Sequence, residues 1–522
     1  MFDWVITGGK MVDGSGAAWR YADLGISGGK IAAMGHLGGA AARQTIDAHG
    51  KIVCPGFIDT HSHCDLTLMA GRWVEERLRQ GITTEVVGQD GLSYSPAGGP
   101  HLDEWRRYLV GLNGNFPEIT WNWRTAGQLL EHYKNKAANA VYLSPHGALR
   151  TEVMGWADRP ATATELHQMQ DLVRRELDEG AAGISTGLTY IPCNHATTEE
   201  MIALCQPVGK AGGILSIHLR SYGGKLHEAI DEAVEIGRQS GAAIQISHLR
   251  VADPSLWGTA HAILERIQRA RASGVDVTFD IYPYTVGCAP LFCLLPAWAQ
   301  AGGPDMILQR LQDAQTRRMI AVDLLAMNLD WSLYTLSNAC IPGGDNWEGF
   351  TLTHAAQTLN QSVFDFMMGL LSQTGLDATI VAAGGSEADN VEMFRSPFSM
   401  VCSDGVMVGK QPHPRGYGTF PRVIAEYVKR RPILRLEDAI HKMSGFSANR
   451  LNLTDRGLLR VGAAADVVVF SLEEIADGAN FREGRLPAQG IDWVMVNGKT
   501  AIANGLYTGI GAGQPQTPLL NK

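Results

Sequence analysis

The chain has 522 residues, 45% of them hydrophobic, and a formal net charge of -9. That length accommodates one large barrel-class domain with a smaller one, or several ordinary domains, around a sizeable core. Lysine and arginine are scattered along the chain without a basic footprint, which excludes a nucleic-acid partner from the expectations.

The chain opens on Met1-Phe2-Asp3-Trp4, with no basic segment leading into an apolar stretch. No run of about 18 apolar residues follows anywhere, so no membrane partner and a cytoplasmic location are expected. The first fifty-odd residues are short β segments separated by glycine turns, such as Trp4-Val5-Ile6-Thr7-Gly8-Gly9. Segments of this size cannot form a stable unit alone. A matching set occurs near the other end, in Ala465-Asp466-Val467-Val468-Val469-Phe470 and Trp493-Val494-Met495-Val496. The simplest architecture is a small β domain made from residues 1–54 and 456–522, with a main domain, 55–455, inserted between them. The tail, 511–522, reads as a loose extension.

Within the main domain, strand-like runs at 57–63, 84–90, 140–146, 183–192, 214–220, 243–250, 275–284 and 399–404 alternate with helix-like stretches such as 163–179 and 225–241. This alternation predicts the α/β class and a (β/α)8 TIM-type barrel, whose active site is built at the C-terminal ends of its strands. About 115 residues separate the seventh and eighth runs, which implies an insertion after strand seven, expected over about 287–350, and a ninth strand-like run at 378–383.

The polar residues of these runs fall at the strand ends: His61 and His63, Asp90, His146, Tyr190, His218, His248, Tyr282 and Asp404. In Asp59-Thr60-His61-Ser62-His63 the two histidines are two apart, so both imidazoles point to one face of a strand. His61, His63 and Asp404 can make one metal site, and His218 with His248 another, with Asp90 near or between them. Imidazoles and carboxylates suit Zn2+ first, in one or two ions, with Mn2+, Co2+ or Fe2+ also able to fit. Such an ion lowers the pKa of water to about 7 and polarises a carbonyl, as hydrolysis requires. Asp404, in Cys402-Ser403-Asp404-Gly405, is placed to take the proton of that water and return it to a leaving nitrogen. The eight cysteines lie far apart with no CxxC pair and read as reduced thiols, Cys64 included.

With these residues in place, the chain resembles the amidohydrolase superfamily and, within it, the N-acyl-D-amino-acid deacylase (D-aminoacylase) family, over nearly its whole length. The motifs that carry the likeness are Gly56-Phe57-Ile58-Asp59-Thr60-His61-Ser62-His63, Gly187-Leu188-Thr189-Tyr190, Ile217-His218-Leu219-Arg220, Ile246-Ser247-His248, Asp280-Ile281-Tyr282-Pro283-Tyr284-Thr285, Ser403-Asp404-Gly405, and the run from His413-Pro414-Arg415 to Pro421-Arg422. The resemblance implies a hydrolase of linear amides, acting on carbon-nitrogen bonds other than peptide bonds. Metal-activated water would release a carboxylate and a free D-amino acid from a small N-acylated substrate. The D preference comes from the resemblance alone. Tyr190 is implied to hydrogen-bond the polarised carbonyl, and Tyr282 or Tyr284 to contact the substrate carboxylate. His146 is counted with the substrate-binding set.

Relatives that bridge two metals with a carbamylated lysine on strand four are disfavoured, because no lysine occurs between Lys136 and Lys210. Two departures from the family are evident. The loop after strand two reads Gln89-Asp90-Gly91 where the family usually has Asn-Cys-Gly, and an aspartate is a harder ligand than a thiolate. Arg250 stands where the family commonly has lysine; it follows His248 by two residues, as Arg220 follows His218, and either guanidinium could clamp a substrate carboxylate with two hydrogen bonds. A dipeptidase or a deacylase for another amide is the alternative within enzymes, and a barrel that binds a ligand without turnover is the alternative outside them. Oligomeric state is left open by the sequence.

Overall fold

The structure is a computed structural model that describes residues 1–97 and 99–521. Its centre is a ring of eight parallel strands in chain order: β1 (Phe57–Asp59), β2 (Ile82–Val87), β3 (Asn139–Tyr142), β4 (Gly183–Gly187), β5 (Ile214–His218), β6 (Ala243–Ile246), β7 (Val277–Ile281) and β8 (Ser399–Val401). Each is buried along nearly its whole length, as strands covered on both faces must be. Hydrogen bonding joins β1 to β2 to β3 and runs from β4 through to β8. The ring closes at two places. Past Leu143, the chain of β3 continues as Ser144–Pro145, which pairs with β4; beyond β8, Ser62 bridges Gly405 in parallel, and Asp404 N donates to His61 O at 2.8 Å. This is the expected (β/α)8 barrel.

The crossover helices show why these stretches fold as they do. Helix Ala163–Asp178 is opened by Thr162, whose hydroxyl accepts from Glu165 N while the Glu165 carboxylate reaches back to Thr162 N. Helix Leu226–Ser240 buries Leu226, Ala229, Ile230, Ala233, Val234 and Gly237, one face at helical spacing, and stops at Gly241, whose φ of 74° is the left-handed conformation that glycine adopts without cost.

A buried ion triad ties the first, second and eighth strands together. Arg77 donates through Nε and NH2 to the two Glu85 oxygens, each at 2.8 Å, through NH2 to Asp59, and through NH1 to Ser403 Oγ at 3.0 Å. Ser403 N in turn donates to Asp59 Oδ1 at 2.8 Å. Three charges with their partners this fully satisfied make a rigid joint immediately beneath the ends of β1 and β8.

Both termini build a pair of packed sheets beside the barrel. A four-stranded sheet uses Phe2–Thr7, Asp23–Ser27, Lys30–Gly35 and Ala42–Asp47, and a seven-stranded sheet places Ile52–Pro55 antiparallel to Val467–Phe470. Ile6, Ile26 and Ile46 from one end and Val467, Val469 and Met495 from the other share a single apolar core. The tail is not loose. Gly513 and Pro515 bridge Lys136 and Ala140, and Asn521 N donates to Ala211 O at 2.8 Å, so backbone pairing straps it across the barrel as far as the described residues run.

Between β7 and β8 the chain leaves the barrel and forms an antiparallel sheet of Val286–Pro290, Thr379–Ala383 and Tyr334–Asn338, with Thr379–Ala383 in the middle. The excursion therefore extends past the 287–350 stretch and takes in the ninth strand-like run. Among the described residues, no helix is long and apolar enough to cross a membrane.

Candidate metal centre and substrate cavity

Six side chains from five strand ends meet at one end of the barrel. His61 and His63 follow β1, Asp90 follows β2, His218 ends β5, His248 lies two residues past β6, and Asp404 three past β8. Asp90 is the hub: its Oδ1 is 3.5 Å from His61 Nε2, and its Oδ2 is 3.7 Å from His63 Nε2, 3.6 Å from His218 Nδ1 and 3.7 Å from His248 Nε2. Asp404 Oδ1 lies 3.4 Å from His63 Nε2 and 3.8 Å from His61 Nε2. His218 Nδ1 and His248 Nε2 are 3.0 Å apart.

Three of the six sit in left-handed backbone: Asp90 at φ 58°, His248 at 34° and Asp404 at 48°. That conformation costs a residue with a Cβ on the order of 1–3 kcal/mol and persists only where surrounding bonds enforce it. Here they do. His248 N donates to Asp280 Oδ1 at 2.6 Å, Asp404 N to His61 O, and Gly91 N, directly after Asp90, to Ser185 Oγ at 2.9 Å.

The cluster has the signature of a cation site. Both ring nitrogens of His61, Nδ1 of His63 and Oδ1 of Asp90 are buried with no hydrogen-bond partner among the described residues, although buried polar atoms are ordinarily paired. The triads His61–His63–Asp90, Asp90–His218–His248 and His61–His248–Asp404 each hold their donor atoms within 4.8 Å of one another. Burial opposes charge on His61, yet Asp90 first and then Asp404 outweigh it and lift its pKa to about 9. Burial likewise opposes ionisation of Asp404, but the Arg415 guanidinium, His248, His63 and His61 hold its carboxyl well below the usual range. The site therefore favours positive charge at its centre, and its imidazoles and carboxylates fit a divalent ion of the zinc class. Strand β4 and its loop bring no lysine. Cys64 is buried beside Ser62, its Sγ 3.1 Å from Ser62 Oγ, outside all three triads.

A cavity of about 190 Å³ opens onto the cluster. Tyr190, Arg250 and Tyr282 line it, as expected. Burial pushes the Tyr190 phenol well up, which keeps its hydroxyl protonated and able to donate. Arg250 NH1 donates to Tyr282 Oη at 3.3 Å and lies flat against Gly287, where a Cβ would come within 2.3 Å of NH1.

Three expected binding residues do not reach the cavity. Arg220 forms a two-pronged pair with Glu232, at 2.8 to 3.3 Å, and donates to the Asn194 and Ala196 carbonyls; β5 ends at His218, so strand alternation no longer governs it. Tyr284 lies under the Arg422 guanidinium, 4.8 Å from ring centre to Cζ, because the chain turns after β7 with Tyr284 N donating to Tyr282 O. His146 begins a helix and is enclosed by Thr186, at 2.9 Å from Nδ1, and Glu200, at 3.4 Å from Nε2.

Three further polar side chains, those of Arg415, Tyr222 and Thr189, line the cavity beyond the expected binding residues. Arg415 NH1 is 2.7 Å from Asp404 Oδ2, and its guanidinium is 4.7 Å from the centre of the Tyr282 ring. Tyr222 packs its ring against His218 and His248 and donates to Ser247 O at 2.8 Å. Thr189 Oγ1 lies 2.9 Å from His218 Nε2. The one sequence signal for Arg415 is its place in the run His413-Pro414-Arg415.

The profile of the amidohydrolase family matches residues 44–502. D-aminoacylase of Alcaligenes xylosoxydans xylosoxydans is 32% identical over 520 residues, covering 98% of this chain and 97% of the relative. N-acyl-D-glutamate deacylase of the same organism is 34% identical, covering 95% and 93%. Among solved structures, N-acyl-D-glutamate deacylase of Bordetella bronchiseptica, complexed with zinc and a phosphonate that mimics the tetrahedral intermediate, superposes with a TM-score of 0.84 at 31% identity, covering 99% of each chain.

Proposed function

This chain belongs to the amidohydrolase family, and on that premise we propose that it is a metal-dependent deacylase cleaving the linear amide of an N-acyl-D-amino acid to a carboxylate and a free D-amino acid. The observation that carries the reading is the convergence of His61, His63, Asp90, His218, His248 and Asp404 beside a cavity walled by Arg250, with buried atoms of His61, His63 and Asp90 left without a hydrogen-bond partner among the described residues. These six residues would hold the metal, zinc in the first instance as in the relative solved with it. A divalent ion there supplies Lewis-acid polarisation of the acyl carbonyl and brings the pKa of water to about 7.

The chain's own groups do the rest. Asp404 is held ionised by Arg415 through Oδ2, which leaves Oδ1 turned toward His61 and His63 to accept a proton from water and deliver it to the departing nitrogen. Tyr190 donates its hydroxyl hydrogen to the carbonyl oxygen as negative charge builds there. Arg250, backed by Tyr282, holds the α-carboxylate and so sets the amide over the cluster. Asp280 fixes the His248 backbone, and Asp59 that of Ser403. The D preference is carried over from the relatives.

The test is chiral chromatography of racemic N-acetyl amino acids after incubation with zinc-supplemented protein. Release of D-amino acids alone is expected. Release of L-amino acids, or of neither enantiomer, overturns the reading.

A further inference from the structure

Asp90 faces all four histidines of the metal cluster, but its carboxylate oxygens stand 3.5 to 3.7 Å from the imidazole nitrogens, beyond the length of an ordinary hydrogen bond. Its placement therefore comes from the backbone that carries it. That backbone is an unfavourable one. In the loop 88–91, which follows β2, Gly88, Asp90 and Gly91 have φ of 84°, 58° and 72°, and of these three Asp90 is the one whose Cβ makes left-handed geometry costly.

A single hydroxyl closes this loop. Ser185, in the middle of β4 and buried, donates through Oγ to Gly88 O and accepts from Gly91 N at 2.9 Å. It thus ties the residue two before Asp90 to the residue directly after it. The same strand supplies the floor, since a Cβ at Gly187 would come within 2.6 Å of Asp90 O. Gly88 N is held in turn by Asp65 Oδ1 at 3.0 Å, and Gln89 Nε2 by Thr60 O at 2.8 Å. Those bonds hold the entry to the loop, whereas Ser185 reaches both sides of Asp90. Strand β4 contributes no side chain to the three donor triads; its part is to seat the residue at their centre.

Resting on the metal-dependent reading above, we propose that Ser185 is a positioning residue for the metal centre, its hydroxyl holding the loop 88–91 so that the Asp90 carboxylate stands ready among the four histidines. Without that hydroxyl, Gly88 O and Gly91 N are left buried and unpaired. Asp90 is then free to relax toward right-handed backbone, which carries its carboxylate away from the cluster. Groups that orient a metal ligand in this way are worth about 10–100-fold in metal affinity.

The experiment titrates metal-free protein with zinc against a chromogenic chelator and records the melting midpoint of the metal-free form alongside. Ser185→Ala is expected to bind zinc about 10–100-fold more weakly than wild type, and Ser185→Cys, which keeps the shape with a weaker donor and acceptor, to fall between the two. A serine that serves only the fold would lower the metal-free midpoint and leave the zinc affinity of the folded protein unchanged, and that result overturns the proposal. Should Ser185→Ala fail to fold, Ser185→Cys carries the comparison, and an affinity equal to that of wild type overturns it. Wild-type protein that binds no zinc overturns the proposal together with the metal centre beneath it. Zinc binding without turnover of any N-acyl-D-amino acid overturns the deacylase reading alone, because the affinities decide the role of Ser185 independently of substrate.

Discussion

Asp404 divides its two oxygens: Oδ2 is pinned by Arg415 NH1 at 2.7 Å, and Oδ1 faces His63 Nε2 at 3.4 Å. An asparagine in its place keeps the volume and can still accept from Arg415, but it cannot carry a proton between water and nitrogen. Asp404→Asn is expected to lower kcat by roughly 10²–10⁴-fold, the usual weight of a positioned acid–base group, while circular dichroism remains that of the wild type. A variant retaining more than about a tenth of wild-type turnover would take proton transfer away from Asp404.

Asp90 lies close to all four histidines of the cluster. Its removal should therefore damage binding at every part of the centre. Wild-type protein is expected to gain stability with added zinc, about 2.7 kcal/mol at a hundred times the dissociation constant. Asp90→Ala should abolish that gain, read as a thermal midpoint that no longer rises with zinc, and should lower the metal content measured by elemental mass spectrometry. An unchanged metal content would remove Asp90 from the ligand set.

The two arginines placed two residues after a histidine should behave oppositely. Arg250→Met removes a charged hydrogen bond to substrate, of about 1.5–3 kcal/mol, and kcat/KM should fall about 10–100-fold. Arg220→Met breaks the pair with Glu232 and two carbonyl contacts outside the cavity. It should lower the thermal midpoint and leave KM unaltered. Steady-state kinetics and melting curves of both variants check the contrast, and an Arg220 effect on KM would contradict it.

Glu176 predicts a pH effect away from the centre. Burial outweighs its hydrogen bonds from Ser95 Oγ and Ala126 N and raises its carboxyl from 4.5 to about 7. The folded protein thus keeps a proton that the unfolded chain releases at lower pH. That contribution is complete below pH 4.5 and is lost as pH rises through about 7. Glu176→Gln does not titrate. Its stability relative to wild type should improve between pH 5 and pH 8, by an amount on the order of 3 kcal/mol; urea melts at the two pH values check this, and an unchanging difference would refute it.

The barrel and the six clustered histidines and aspartates were legible because strand periodicity makes them so. His61 and His63 announce a shared face by their spacing, and Asp90, His218, His248 and Asp404 fall at or just past the ends of buried runs. The substrate side was less legible for the same reason. Alternation lapses once a strand ends, so Arg220 and Arg250, alike in sequence, diverge in space: one turns to Glu232 and the other to the cavity. Tyr282 and Tyr284 part similarly at the turn after β7. Arg415 comes from the start of helix Arg415–Arg422, and its approach to Asp404 depends on how that helix docks, which no local pattern encodes.

The shared terminal layer carries a cost in time. Ile52–Pro55 has Val467–Phe470 as its antiparallel neighbour, so the early strands leave the ribosome roughly 400 residues before that partner exists. At about 5–20 residues per second the wait is about 20–80 s. Throughout it, Ile6, Ile26 and Ile46 lack the cover of Val467, Val469 and Met495, and one edge of Ile52–Pro55 remains open. The nascent chain is then at its most vulnerable to edge-to-edge pairing with another copy, and slower elongation, which lengthens that exposure, is expected to lower the yield of folded barrel.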